Sequence, residues 1–196
     1  MLSQLDDLSV TGDVDGDIAL SLPLETPDAL KLEINAQPRL SEVIYHPLDL
    51  RIHTLEGELA WLQDGERRGL VGDARAQLLG GSISANIYTP SDRIELQGSV
   101  ATAALFELGG LDDSQGSLPI EGQLEWQGLV SLLPTPTVRL ESRLVGITSR
   151  LPEPFAKSAQ QPWPWVVTAD IEAARLESRL ADIATARVQQ RNGQIM

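Results

Sequence analysis

The first stretch of the chain alternates between apolar and polar positions. From residue 8 to residue 22 every even position holds an apolar residue or glycine, and the odd positions are polar or small. A period of two is typical of a β-strand with one dry face and one wet face. Gly12 and Gly16 occupy even positions, where they indicate bends or bulges in a long strand or a hairpin. The stretch is therefore predicted to be β-structure with one apolar face.

The same alternation recurs along the chain, separated by stretches rich in Pro, Gly, Asp and Ser. Many strands at modest spacing predict an all-β fold, and one-sided alternation favours antiparallel pairing. We expect one segment, 1–196, that is mainly all-β and forms an elongated, curved antiparallel sheet with an apolar groove and one or two short helices. The recurring runs are 30–34, 48–52, 74–78, 83–87, 94–98, 118–126, 138–144 and 167–171.

Three segments depart from this pattern. The segment near 101–110 is rich in Ala and Leu and ends in two glycines, which predicts a short helix whose Leu105 and Leu108 cap an edge or end of the sheet. The proline-rich segment 152–164 is predicted to be a loop. Trp163 and Trp165 lie at its end, either packed over the sheet end or forming a recognition or membrane-interface surface. Segment 173–188 fits helical and strand spacing alike, and its residues do not decide between them.

Composition narrows the classes of function. The net charge of −13 opposes binding to phosphate backbones and to anionic membrane surfaces. Aromatic residues make up 4% of the chain, so aliphatic side chains supply most of the apolar surface. The absence of cysteine excludes disulfides and thiolate sites. Since there is no apolar run long enough to cross a membrane and no signal peptide, any targeting element is expected outside this chain, which we interpret as an internal fragment.

No residue pattern indicates an active site. Asp13, Asp15 and Asp17 resemble the start of a calcium loop, but Ile18 and Leu24 stand where that loop needs Gly and Glu, so the aspartates are predicted to share the wet face of a strand. The two histidines are too far apart in sequence for a local zinc motif. The glycines lack the residues of a phosphate-binding loop, and no nucleophile elbow is present. We therefore expect no enzyme, no metal and no cofactor.

Several short segments of the sequence together resemble the periplasmic AsmA-like family, and its YhdP type most closely. The most telling is a strand, a Gly-Ile-x-Ser turn and a Leu-Pro-x-Pro-Phe-x-Lys segment over residues 140–159. Further segments that carry the resemblance are 14–24 and 74–83. Another combines 101–110 with 117–122 and Trp126. The resemblance favours strands in segment 173–188 and brings no catalytic residue with it.

The resemblance implies a large protein of the Gram-negative cell envelope, anchored in the inner membrane and extending through the periplasm as a β-groove. It implies transport of phospholipid toward the outer membrane, with acyl chains as the partner and envelope protein partners unidentified. The residues alone leave two alternatives for the apolar face. A second layer covers it, as in a structural β-sandwich or solenoid module, or it stays open as a trough for acyl chains.

If the face is open, the aliphatic residues of the alternating runs are expected to contact lipid. A continuous apolar strip removes the cost of exposing acyl chains to water, about 0.8 kcal/mol per CH₂. The predicted lining residues are Val10, Val14, Ile18, Leu20, Leu22, Leu32, Ile34, Leu50, Ile52, Ile83, Ile87, Ile94, Leu96, Leu118, Ile120, Leu124, Trp126, Val138, Leu140, Leu144, Val167 and Ile171.

Overall fold

The computed structural model describes residues 7–21, 31–46, 50–64, 67–108, 119–191 and 194–195. Antiparallel strands form most of these residues, which confirms the predicted all-β antiparallel fold. The chain divides into two compact units. The N-terminal unit comprises residues 1–78 and 82–94, and the C-terminal unit comprises residues 79–81 and 95–196.

In the N-terminal unit the strands follow one another in both sequence and space. Each strand is hydrogen-bonded to the next, in the order β1-β2-β3-β4-β5. A single 3₁₀ turn, Thr89–Ser91, follows the last of them. The strands are β1 Leu8–Ser21, β2 Lys31–Tyr45, β3 Leu50–Asp64, β4 Arg67–Leu78 and β5 Gly81–Tyr88.

The C-terminal unit repeats this arrangement with shorter strands and one helix. Its strand order is β6-β7-β8-β10-β11-β12-β13, and β9 pairs with β7 beyond the end of β8. The elements are β6 Arg93–Ala101, α1 Thr102–Leu108, β7 Ile120–Ser131, β8 Thr137–Ser142, β9 Ile147–Ser149, β10 Trp165–Asp170, β11 Arg175–Leu180, β12 Ala184–Arg191 and β13 Gln194–Ile195.

The elements that the sequence left open are now assigned. The first alternating stretch is one strand rather than a hairpin, and its pairing with β2 shifts by one residue between Thr11 and Gly12. Gly12 has φ +141°, a backbone conformation that favours glycine, which explains a glycine at this bulge. The expected short helix is α1. The ambiguous segment 173–188 forms β11 and most of β12, joined by a turn.

Pro38 lies inside β2, although proline has no N–H to donate to a neighbouring strand. Its pairing with Val14 of β1 is retained, whereas the pairing of β2 with β3 is interrupted between Ala36 and Arg39. The missing donor is therefore accommodated by a local gap in one ladder, and β2 continues as a single strand.

The C-terminal unit contains the one buried apolar cluster of the described residues. Val100, Leu124 and Ile147 are its buried members, and Leu105 of α1 packs against them. The buried Thr102 donates its hydroxyl to the carbonyl of Gly122 at 3.1 Å, which ties the start of α1 to β7. The helix thus covers part of the sheet at this place, as expected for Leu105. The side chain of Leu108 lies outside the described residues.

The segment between β9 and β10, predicted as a loop over 152–164, folds back along the strand that precedes it. Ser149 and Lys157 exchange backbone hydrogen bonds, and the amide of Gly146 donates to the carbonyl of Ala159. Lys157 is 5% exposed, and its Nζ donates to the carbonyls of Ile147 at 2.8 Å and Ser158 at 3.0 Å. A buried ammonium thus holds this return in place.

Candidate functional site: an open apolar face

The register of β1 and β2 places apolar residues opposite apolar residues. In an antiparallel pair, residues that lie directly opposite each other project from the same face of the sheet. Each even-numbered position of β1, apolar or glycine, has an apolar partner on β2. The pairs are Leu8–Tyr45, Val10–Val43, Gly12–Leu40, Val14–Pro38, Gly16–Ala36, Ile18–Ile34 and Leu20–Leu32.

This apolar face continues across β3 and β4. Ile34 pairs with Trp61, which in turn pairs with Leu70 of β4. The neighbouring rows run from Ala36 through Leu59 to Gly72, and from Val43 through Ile52 to Leu78. We call this surface, formed by the rows from β1 to β4, the open face of the N-terminal unit.

The opposite face of the same strands is mostly polar. Arg39 lies opposite Asp13 and forms an ion pair with Asp15, with a nitrogen–oxygen distance of 3.4 Å. Asn35 donates its side-chain amide to Asp17 at 3.2 Å. The three aspartates therefore share the wet face of a strand, where neighbours on β2 interact with two of them. The excess negative charge is concentrated away from the apolar rows.

The β1 side chains of the open face are exposed to an unusual degree, whereas Ile34, Leu59 and Leu70 on the inner strands are half-buried. Val10 is 57%, Val14 60%, Ile18 72% and Leu20 66% exposed. Within the described residues of the N-terminal unit, the named elements are strands and one 3₁₀ turn, and no α-helix is among them. A contiguous exposed apolar surface marks a place that contacts another apolar body.

Short side chains occupy the middle rows of the open face. Gly16 lies opposite Ala36, and Gly57 lies opposite Ala74. Larger residues flank them in the row of Ile18, Ile34, Trp61 and Leu70. The surface is therefore lower at these two pairs, although Leu59 continues the row of Gly16 and Ala36 with a larger side chain.

An apolar face is also present in the C-terminal unit. Gly128 pairs with Leu140, which pairs with Val167 of β10. A second row runs from Val138 through Ala169 to Leu176. Part of this face is closed, since Leu105 of α1 packs against the buried cluster that contains Leu124.

The predicted lining residues fall into distinct environments. On the open face the register brings together Val10, Val14, Ile18, Leu20, Leu32, Ile34, Leu50 and Ile52. The predicted lining residues of β5 and β6 are half-buried, and their neighbours along each strand are exposed or less apolar. These residues are Ile83, Ile87, Ile94 and Leu96. Val138, Leu140 and Val167 lie in register on the apolar face of the C-terminal unit.

Other predicted residues lie elsewhere. Leu124 is 4% exposed, at the centre of the buried cluster. Ile171 follows the end of β10, in a turn, and is 58% exposed. Three more of the predicted lining residues pack against the buried cluster: Ile120, Trp126 and Leu144. Leu22 and Leu118 lie outside the described residues.

Several members of the open face were not among the predicted lining residues. Leu55, Leu59 and Trp61 alternate with polar or small residues along β3, so the same period of two was present there. Val43 and Tyr45 shift from even to odd positions because the bulge adds one residue to β2. That change of parity hides the second half of β2 from a simple alternation.

Several of the described titratable groups form ion pairs. Glu177 accepts a hydrogen bond from Arg187 at 3.1 Å, and this bond and the positive charge hold the pKa of Glu177 below its usual value. Burial lowers the pKa of Lys157. Among the described residues, no group of His, Asp and Glu side chains is arranged to hold a metal ion, and no helix is long and apolar enough to span a membrane.

Comparison with known proteins points to one family. The family model described as YhdP protein matches residues 1–195. No curated protein and no solved structure matches the chain. The match covers nearly the whole sequence, including both units and every residue of the open face.

Proposed function

Because the chain belongs to the YhdP protein family, we propose that it is a segment of a lipid-transport protein of the Gram-negative envelope and that its open face carries phospholipid acyl chains. The observation that supports this proposal most directly is the set of strongly exposed aliphatic residues along β1. Of these, Ile18 is 72% and Leu20 66% exposed. These residues lie in register with the apolar rows of β2, β3 and β4.

The energetics favour acyl chains as the ligand. Each CH₂ group of an acyl chain that leaves water gains about 0.8 kcal/mol, wherever along an apolar strip it lies. The rows of the open face that contain only apolar side chains bind all positions of such a chain about equally well. They therefore let the chain move along the surface, which suits transport better than storage.

The location follows from the same reasoning. We place the segment in the periplasm, as part of a protein anchored in the inner membrane that spans toward the outer membrane. The polar face, which carries Asp13, Asp15 and Asp17, would remain in water while the open face holds the chains. No reaction is required for this function, and we assign no catalytic residue.

A second candidate function is a structural module with a closed core. The buried cluster of Val100, Leu124 and Ile147 favours it for part of the C-terminal unit. The exposure of β1 argues against it for the N-terminal unit, because a closed core would bury those side chains. The two candidates differ in whether lipid accompanies the purified protein.

Native mass spectrometry of the chain purified from bacterial periplasm, with extraction of bound lipid, tests the proposal. We expect phospholipid to co-purify with the wild type and to be reduced at least several-fold by Leu20→Asp, which places a charge on the open face. Ser21→Asp is the matched control, because Ser21 is the next residue of β1, lies on the polar face and pairs with Lys31. Lipid-free wild-type protein with a cooperative melt would favour the closed module.

A further inference from the structure

Among the described rows of the open face, one contains a charged side chain, that of Arg68. This row begins at Leu20 and is the last row at that end of the face. Leu20 pairs with Leu32, Leu32 pairs with Gln63, and Gln63 pairs with Arg68 of β4. Since directly opposite residues share a face, Arg68 and Gln63 project from the same side of the sheet as the two leucines. The adjacent row, which includes Trp61, is wholly apolar.

We infer that Arg68 and Gln63 bind the phosphate headgroup of a lipid whose acyl chain lies on the open face. The inference rests on the proposed function and adds to it the place where the headgroup is held. In an antiparallel pair, opposite residues have Cβ atoms about 4.5–5.5 Å apart, so the guanidinium and the side-chain amide reach one anion together. Arg68 is exposed and Gln63 is half-buried, and the anion therefore stays in contact with water.

The chemistry of the pair suits a phosphate. The planar guanidinium of arginine donates two parallel hydrogen bonds to phosphate oxygens, and the amide of glutamine adds a further donor. Among the side chains that the structure describes, no carboxylate forms an ion pair with Arg68. Another arginine of β4, Arg75, lies opposite Glu56 on the polar face.

The position of the pair also fits an amphiphile. Trp61 precedes Gln63 by two residues on the same face and is 36% exposed, and its partner Leu70 lies beside Arg68. On β3 and β4 the surface thus changes from the apolar pair of Trp61 and Leu70 to the adjacent pair of Gln63 and Arg68. A molecule with an apolar chain and an anionic head matches both rows at once.

Isothermal titration of the whole chain with two amphiphiles that share a twelve-carbon chain tests the assignment. Dodecyl phosphate carries the anionic head and dodecyl maltoside a neutral one, and both are used below their micelle concentrations at low salt. We expect the wild type to bind the phosphate amphiphile roughly 3- to 10-fold more tightly. Arg68→Gln should abolish this preference and leave maltoside binding unchanged, whereas Arg75→Gln, which removes the same charge from the other face, should keep the preference.

The outcomes separate the two proposals. A preference that survives Arg68→Gln, or a loss of binding to both amphiphiles in that variant while its melting is unchanged, would overturn the headgroup site but not the acyl-chain surface. A wild type that binds neither amphiphile would overturn the proposed function and this site with it. Inorganic phosphate is added alone at the same concentrations, and binding that depends on Arg68 there would identify a free-anion site rather than a lipid headgroup.

Discussion

Ile18 and Ile34 lie directly opposite each other on β1 and β2, yet Ile18 is 72% exposed whereas Ile34 is half-buried. The difference arises because, within the described residues, β1 has a strand neighbour on only one side. Ile34 is flanked by strands on both sides, and Trp61 pairs with it from β3. The open face is therefore most accessible along β1, where an apolar ligand gains the most contact.

This exposure predicts that apolar residues of β1 contribute little to stability. Ile18→Ala should lower the free energy of unfolding by less than about 1 kcal/mol, because the side chain is already largely in water. The same substitution at Ile147, which is 5% exposed in the buried cluster, should cost about 2–4 kcal/mol. Urea denaturation of both variants measures the two values. Equal costs would show that the open face is covered in solution.

Lys157 predicts a dependence of stability on pH. Its burial lowers its pKa from the ordinary value of about 10.5, so the folded protein releases this proton more readily than the unfolded chain. Between the lowered pKa and 10.5 the unfolded state binds more protons, and stability should rise with pH. The free energy of unfolding of the wild type relative to Lys157→Met should therefore increase across this window. A difference that stays constant or falls would contradict the burial of the ammonium.

A comparison of Gly122 with Gly80 distinguishes two reasons why a position requires glycine: the backbone conformation alone, or that conformation together with a lack of space for a Cβ. Both have positive φ, +128° and +72° respectively. A Cβ at Gly122 would lie 2.1 Å from the carbonyl oxygen of Gly146, whereas at Gly80 the nearest atom is 3.5 Å away. Gly80→Ala should cost about 1 kcal/mol through backbone strain alone, and Gly122→Ala clearly more, since β7 and β9 must separate. Thermal melts of the two variants test this order, and similar melting temperatures would show that β9 yields easily.

The alternation of the sequence predicts the faces of the sheet but not what covers them. Leu20 and Leu124 both occupy even positions of regular alternating runs, yet Leu20 is 66% and Leu124 4% exposed. The cover over Leu124 includes Leu105 of α1, and the return at Lys157 is hydrogen-bonded to Ser149 of β9. Both arrangements arise from tertiary contacts between separate elements. The burial of Lys157 was missed for the same reason, although its motif was recognised.

Register was the other property that the sequence did not reveal. The unpaired residue at the bulge opposite Thr11 and Gly12 reverses the parity of β2, so Val43 faces the same side as Leu40 although one number is odd and the other even. The pairing of Gln63 with Arg68 likewise depends on register, because a shift of one residue would move Arg68 to the polar face. The sequence therefore did not predict which charged residues lie on the apolar face, and the register in the structure was required to identify them.

Trp61 offers a direct optical test of the open face. It is one of four tryptophans, lies in the row between Ile34 and Leu70, and is 36% exposed. In a variant that keeps Trp61 and replaces the other tryptophans with phenylalanine, binding of an acyl chain should displace water from the indole. Its emission should shift to the blue as dodecyl maltoside is added below the micelle concentration.

The matched variant keeps only Trp163, which lies in the segment between β9 and β10 and donates its backbone amide to Arg143. Its emission should not change, because that segment is not part of the open face. A shift in both variants would indicate unfolding or general detergent binding. A shift confined to the Trp163 variant would move the acyl-chain site to the C-terminal unit, where the apolar face is partly closed. A shift confined to the Trp61 variant would connect ligand binding to the rows of β1–β4, where the exposed aliphatic residues and Arg68 lie together.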